Sequence, residues 1–501
     1  MTTAAWAVRD RRIALSAAEL DELLELLTRA LAAADLGPER RVAVFAENAV
    51  ETLVVHVAAL LAGCSAVPVN GRLTAAEAAY ILDDSSARVV FVGPETAERA
   101  CAAAGREVAV VGWRCPAGGA VVPWTDWAPA GRPDVGPVAP RPPLVYTSGT
   151  TGQPKGTELP PRTFPRSPTM GDHLTAVRSG PFARHGPHLV VGPLHHVGPL
   201  VPGVRALAGG LPVVILGPFD AEETLVAIDE FDIAATVMVP THFVRLLGLP
   251  SEVRNRYDVS SLRYVLHTGA SCPPDVKRRM IDWWGLVLHE VYGATEVGTT
   301  CAIDSAAWLA HPGSVGRAVA PFEAVVVDEA GRTLPPNTEG HLYFRDPTGR
   351  GVVYHNDPVK SAGAHLAPGV FTLGEVGYVD GDGFVYVTDR FADMVVSGGA
   401  NVYPAEAEQA ILAHPGVADV ACIGLPDVEM GERLYALLVP ADPAAPPDVD
   451  EVIRFCRDRM AHYKCPRGGA VVESVGRTPL GKVNKRALRD WYLRSLAGAA
   501  R

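Results

Sequence analysis

The residues best suited to chemistry form one run, Tyr146-Thr147-Ser148-Gly149-Thr150-Thr151-Gly152-Gln153-Pro154-Lys155-Gly156, directly after the apolar Leu144-Val145. Glycines let the backbone turn tightly and aim successive N–H groups at an anion. The hydroxyls of Thr147, Ser148, Thr150 and Thr151 add donors, and Lys155 adds a positive charge. A loop of this kind holds phosphate oxygens. It is not a Walker A loop, because Lys155 is followed by Gly156 rather than by Ser or Thr. The plain alternative is a polar surface turn; the ordered string of hydroxyls, glycines and one lysine favours phosphate.

The elements around the run follow from local signals. Asn48 with Glu51 has capping-box spacing and predicts a helix that stops at Gly63. Thr74 with Glu77 and Asp220 with Glu223 predict two more helix starts. Arg88–Val92 and Thr236–Val239 read as buried strands. Helix-then-strand alternation over residues 1–390 predicts an α/β fold, a large N-terminal domain of layered, largely parallel sheets flanked by helices. Residues 116–143, rich in Gly and Pro, read as a loop leading into the strand before the phosphate run. Residues 391–501 read as a small α+β domain with strands at Ala418–Ile423 and Leu434–Val439, a helix near Asp450–Met460 and a basic tail (Lys482, Lys485, Arg486, Arg489).

Composition excludes several classes. The 501 residues are 48% hydrophobic and 20% charged, as in an ordinary globular chain. A net charge of −11 argues against nucleic acid or an anionic membrane as partner. Eight scattered cysteines contain no C-x-x-C pair, so they show no zinc or redox signature and read as reduced thiols of a cytoplasmic protein. No signal-peptide core follows Met1, and the apolar stretch Leu53–Val69 is interrupted by His56, Gly63 and Pro68, so no membrane span is expected.

Four further segments join the phosphate run: Gly269-Ala270-Ser271, Tyr292-Gly293-Ala294-Thr295-Glu296, Leu373-Gly374-Glu375 ahead of Asp389-Arg390, and Pro479-Leu480-Gly481-Lys482. In this order the five segments closely resemble the AMP-forming acyl-adenylating superfamily, which includes acyl-CoA synthetases, nonribosomal adenylation domains and firefly-type luciferases. The resemblance runs from Glu47-Asn48 to Arg489. The acyl-CoA synthetase branch fits best, because Pro193-Leu194-His195-His196 resembles its acyl-pocket segment and Val395–Pro404 its CoA-tunnel segment.

The resemblance implies two half-reactions: a carboxylic acid and ATP give acyl-AMP and pyrophosphate, and CoA then displaces AMP. It implies that Thr147, Ser148, Gly149, Thr150, Thr151, Gly152 and Lys155 hold the ATP phosphates. Glu296 would bind Mg2+, Thr295 would touch the α-phosphate, and Lys482 would neutralise charge at the attacking carboxylate. The adenine and ribose site would comprise Gly269, Ala270, Ser271 and Glu290, lining it through backbone groups, Tyr292, stacking on adenine, and Gly293, Ala294, Glu375 and Arg390. Glu375 stands where the family usually carries Asp. His195 and His196 would line the acyl pocket, with His242-Phe243 as a further wall. Gly398 and Gly399 would let the CoA arm pass close to backbone, and a mobile C-terminal domain would swing about Phe391-Ala392. Ala392 and Ala400 stand where many relatives carry a charged or polar residue and a glutamate, respectively. Two alternatives stay open: an adenylase that hands acyl-AMP to a carrier protein or a second enzyme, and a non-catalytic nucleotide-binding relative.

Overall fold

The computed structural model describes residues 6–116, 119–127, 138–147, 154–270, 272, 274–328, 330–390, 395–476, 483 and 485–499. The chain divides into two compact units: residues 1–71, 75–146 and 156–388, and residues 72–74, 147–155 and 389–501.

In the first unit, continuous apolar runs form parallel strands buried on both faces. One sheet has the order Ser65–Asn70, Arg41–Ala46, Val89–Val92, Ala109–Gly112 and Val122–Pro123, and all its described pairings are parallel. A second sheet carries parallel neighbours in the order Val213–Ile215, His188–Val190, Ala235–Met238, Tyr264–His267 and Leu288–Ala294. Beyond Ala294 the chain turns back on itself, and the same sheet continues antiparallel through Gly298–Asp304, Gly316–Ala318 and Phe384–Arg390. The parallel expectation therefore describes the chain as far as Ala294; afterwards short hairpins replace helical crossovers. Within 116–143, expected to be loop, Val122–Pro123 adds an edge strand and Trp124–Trp127 forms one helical turn.

The helix Val50–Leu61 is buried on nearly every side, as a helix apolar all round must be. Its start differs from expectation. The N-cap is Ala49, with no side-chain cap of its own. Glu51 instead pairs with Arg114 at 2.8 Å. The open N-terminus is satisfied from far away in sequence: the Val50 N–H donates to Asp10 Oδ2 at 3.0 Å, while Asp10 Oδ1 accepts from the Arg12 and Ile13 N–H groups. Asp10→Ala is expected to lower stability by about 1–2 kcal/mol, the scale of a lost helix cap. An unchanged urea midpoint would remove Asp10 from that role. The other two helices begin at Ala75 and Ala221, the latter with Asp220 accepting from the Glu223 N–H as its spacing predicts.

In the second unit a sheet of order Ala400–Val402, Val395–Ser397, Gly431–Pro440, Val417–Asp427 forms the centre, with Gly469–Val471 parallel to Gly431–Pro440. Both faces are apolar, by strict alternation. Val420, Cys422, Leu434 and Leu438 join a cluster with Ala407 and Ile411 of the helix Pro404–Leu412 and Val452 and Cys456 of the helix Val449–Arg457. Ala421, Ile423 and Leu437 face Tyr492 of the helix Lys485–Ala499. The basic tail is tied down by ion pairs: Lys485 to Glu408 at 2.7 Å and Arg489 to Glu432 at 2.9 Å. Among the described residues no helix is long and apolar enough to cross a membrane.

Candidate active site

In a parallel sheet all strands end at the same edge, and ligands bind in the crevice beyond those carboxyl ends. Four neighbouring strands of the first unit deliver the sequence-predicted segments there. His195-His196 follow His188–Val190; His242 follows Ala235–Met238; Gly269-Ala270 follow Tyr264–His267; Thr295-Glu296 follow Leu288–Ala294. The residues flanking the first and third come close: a Cβ added at Gly198 would lie 3.8 Å from the Thr268 methyl carbon. Gly269 has φ +87°, a backbone region that favours glycine and lets the chain turn off its strand.

Tyr292, Gly293 and Ala294 end a strand whose register shifts between Tyr292 and Gly293. Any side chain at Gly293 would sit 2.0 Å from the Gly298 carbonyl oxygen, so only glycine lets the hairpin close. Thr295 and Glu296 form its tight turn, held by the Val297 N–H to Ala294 O at 3.2 Å and by Arg350 Nη1 to Glu296 O at 3.0 Å. Glu296 is buried.

Glu375 opens the strand Glu375–Val379 and is 4% exposed. The Tyr292 hydroxyl donates to Glu375 Oε2 at 2.6 Å. This contact joins two predicted segments 83 residues apart. Beside the ring expected to stack on adenine, Tyr292 thus has a hydroxyl that fixes the direction of the Glu375 carboxylate. Tyr292→Phe removes a hydrogen bond to a charged group, worth about 1.5–3 kcal/mol. It is expected to raise KM for ATP about tenfold or more with the fold intact; an unchanged KM would show that Glu375 needs no such support.

Glu290, expected to line the adenine site through its backbone, has its side chain committed elsewhere. Its side chain is spent on Lys277, Nζ to Oε2 2.5 Å, with His267 Nε2 3.7 Å from the same oxygen. Burial pushes the Glu290 carboxyl up and the Lys277 ammonium down, each opposed by its partner, and burial with nearby Lys277 drives His267 well below its ordinary value. The pair braces the strand from beneath; only the backbone of Glu290 is left for a ligand. His242 is stacked on Phe219 at 3.9 Å and burial pulls it down to about 3, while Phe243 is fully buried in the core with Trp284, so Phe243 forms no pocket wall.

His195 and His196 lie with ring centroids 4.3 Å apart, just before the helix Val197–Ala208. Their loop is held by Asn48, the residue read as a helix cap. Its Nδ2 donates to Gly192 O at 2.9 Å and Leu216 O at 3.2 Å, and its Oδ1 accepts from the Leu194 N–H at 2.8 Å. Asn48, Lys277 and Arg350 are supporting residues that sequence reasoning missed; each acts on a partner in another element, which periodicity does not register.

Leu144–Thr147 and Lys155–Glu158 pair as the two stems of the phosphate run, with Lys155 buried. Tyr146 at the first stem donates to Asp84 Oδ2 at 2.6 Å. Ser148, Gly149, Thr150, Thr151, Gly152, Ser271, Phe391, Ala392 and Lys482 lie outside the described residues, as does the side chain of Arg390. In the second unit Gly398 and Gly399 have φ +58° and +80° and form the two-residue turn between Val395–Ser397 and Ala400–Val402. Two successive positive φ values demand glycine-like residues at a tight hairpin, and a Cβ at Gly398 would meet the Met430 methyl at 2.3 Å. The hairpin alone accounts for both glycines.

A family profile described as AMP-binding enzyme matches residues 2–352, and one described as AMP-binding enzyme C-terminal domain matches residues 406–482. The chain belongs to the AMP-binding enzyme family. It is 32% identical to an indoleacetate–CoA ligase of Aromatoleum aromaticum, over 96% of this chain and 94% of that one. It is 33% identical to the fatty acid–[acyl-carrier-protein] ligase ScoC of Streptomyces coeruleorubidus, over 93% and 89%. Its fold matches the amide bond synthetase McbA of Marinactinospora thermotolerans with a TM-score of 0.81 and 28% identity, over 97% of each chain. As an AMP-binding enzyme the chain is an ATP-using, adenylate-forming ligase with the α/β architecture and small C-terminal domain of that family.

Proposed function

We propose that the protein is an ATP-dependent carboxylate–CoA ligase. A carboxylate oxygen attacks the α-phosphorus of ATP and pyrophosphate leaves; the CoA thiolate then attacks the acyl carbon and AMP leaves. The observation that carries the reading is the 2.6 Å bond from Tyr292 to Glu375, beside the Thr295-Glu296 turn at the carboxyl edge of the sheet. It supports Glu375, one methylene longer than the family's usual Asp, as acceptor for the ribose hydroxyls, with Arg390 beside it. Gly269, Ala270, Ser271, Gly293 and Ala294 would supply backbone around adenine. Ser148 to Gly152 with Thr147 and Lys155 would hold the phosphates, His195 and His196 would meet the acyl group, and Thr295 the α-phosphate. Lys482 would approach from a C-terminal domain, residues 391–501, that turns about Phe391-Ala392 and later presents Gly398-Gly399 to the CoA arm.

The donor set at Glu296 fits Mg2+, which takes one or two carboxylates and completes its shell with water and substrate phosphates. When bound, the ion would offset phosphate charge.

A second reading keeps adenylation and changes the acceptor to a carrier protein or an amine. The likeness to a carrier-protein ligase and an amide bond synthetase favours it, as does Ala400 in place of a common glutamate. ATP–pyrophosphate exchange over a panel of acids tests the first half-reaction, and exchange with none of them would overturn both readings. AMP release from the responsive acid, with CoA, a phosphopantetheinyl carrier or a simple amine, then decides the acceptor.

A further inference from the structure

An apolar cavity lies within the first unit between the helices Val50–Leu61, Met170–Arg178 and Val197–Ala208. Each helix presents residues one turn apart: His56 and Leu60, His173 and Val177, Leu200 and Val204. The walls are mostly aliphatic, and two polar groups in them are under-used. The Arg205 guanidinium donates to the Thr163 carbonyl and, among the described residues, meets no carboxylate. A guanidinium has five N–H donors, and one held among apolar side chains without a counter-charge is costly. His56 is 4% exposed and neither ring nitrogen has a hydrogen-bond partner among the described residues. Burial lowers its pKa to about 3, so it stands neutral, with one N–H donor and one acceptor. His173 bonds Pro165 O through Nδ1 at 3.1 Å and stacks on Phe164.

We propose that this cavity binds a medium-sized apolar carboxylate, its carboxylate paired with Arg205 and its hydrocarbon body lying along Leu200, Val204 and Ala208. Leu200, Val204 and Ala208 form one stripe of a helix and line the cavity. Of the two arginines in the lining, Arg141 is exposed and Arg205 is the one whose desolvation a ligand carboxylate offsets, while His56 lines the same cavity. The carboxylate has two sources. It belongs to a free acid held apart from the acid being activated, or it is the distal end of a dicarboxylic substrate. The second source rests on the ligase reading: helix rise places Arg205 ~14 Å along the axis from His196, a span a long dicarboxylate covers.

The test measures binding of octanoate and octan-1-ol to the full chain by calorimetry. Octanoate is expected to bind at least ~10-fold more tightly than octan-1-ol, the scale of one charge-assisted pair. Arg205→Gln is expected to erase that difference, and Val204→Trp to abolish binding of both. If Val204→Trp fails to fold, judged by its thermal midpoint, Ala208→Leu narrows the same space and is expected to weaken both probes. Equal binding of the two probes, or a carboxylate preference that survives Arg205→Gln, overturns the proposal; absence of binding, with the cavity holding water only, does so as well. Pyrophosphate exchange separates the sources. Selective loss with decanedioate in Arg205→Gln identifies the distal end of a substrate, and unchanged exchange with every acid identifies a separately bound one. Absence of exchange in the unmodified protein sinks the ligase reading alone, because the binding measurement does not depend on it.

Discussion

Lys482→Ala is expected to lower ATP–pyrophosphate exchange by about 10²-fold or more, the range for removing one positioned electrostatic group. That corresponds to about 2.7 kcal/mol of transition-state stabilisation. The physical reason is charge. A carboxylate and a triphosphate repel each other, and negative charge grows on the phosphoryl oxygens as the new bond forms. A fixed ammonium beside both anions lowers that barrier and fixes the line of approach. The same substitution is expected to leave thioester formation from preformed acyl-AMP near its original rate, since in that step the phosphate is already esterified and the nucleophile is a thiolate. Equal damage to both halves would remove Lys482 from the adenylation step and assign it a general structural role.

The second large effect is expected at Glu296. Glu296→Ala should reduce exchange about 10²-fold at ordinary magnesium, again the scale of one group acting on transferring phosphoryl charge, with part of the loss recovered as Mg2+ is raised. Glu296 is buried in a hairpin turn whose backbone is held independently by Arg350 and Val297. Truncation therefore removes the carboxylate without releasing the turn. An unchanged magnesium dependence would take Glu296 out of the metal site, and a large fall in thermal midpoint would make the effect structural.

Much of the candidate site was legible as local chemistry. Hydroxyl-glycine-lysine strings, a Tyr-Gly-Ala-Thr-Glu turn and a Gly-Glu pair are short-range patterns, so the residue types and spacings are visible without coordinates. Gly293 and Gly269, expected around adenine, have backbone reasons of their own: one lets a hairpin close over Gly298, and the other carries a positive φ at the end of its strand. Asp220 capped its helix as its spacing predicts, because a cap is satisfied within four residues.

Other residues were misread where a partner came from far away. Asn48 looked like a local cap and clamps the loop at 192–194; Glu51 looked like its capping-box partner and pairs with Arg114; the cap of their helix comes from Asp10. A capping pattern states which groups can bond, whereas burial and the approach of other strands decide which bonds form.

By itself the sequence determined the family, the α/β alternation up to Ala294 and which side chains are candidates for the chemistry, because hydrophobic period and turn chemistry are local properties of a chain. Only the tertiary structure decided that four parallel strands end at one edge, that Tyr292 aims Glu375, and that an unneutralised Arg205 faces an apolar cavity. Those depend on strand order and on desolvation, and both are set by contacts between residues that the sequence keeps far apart.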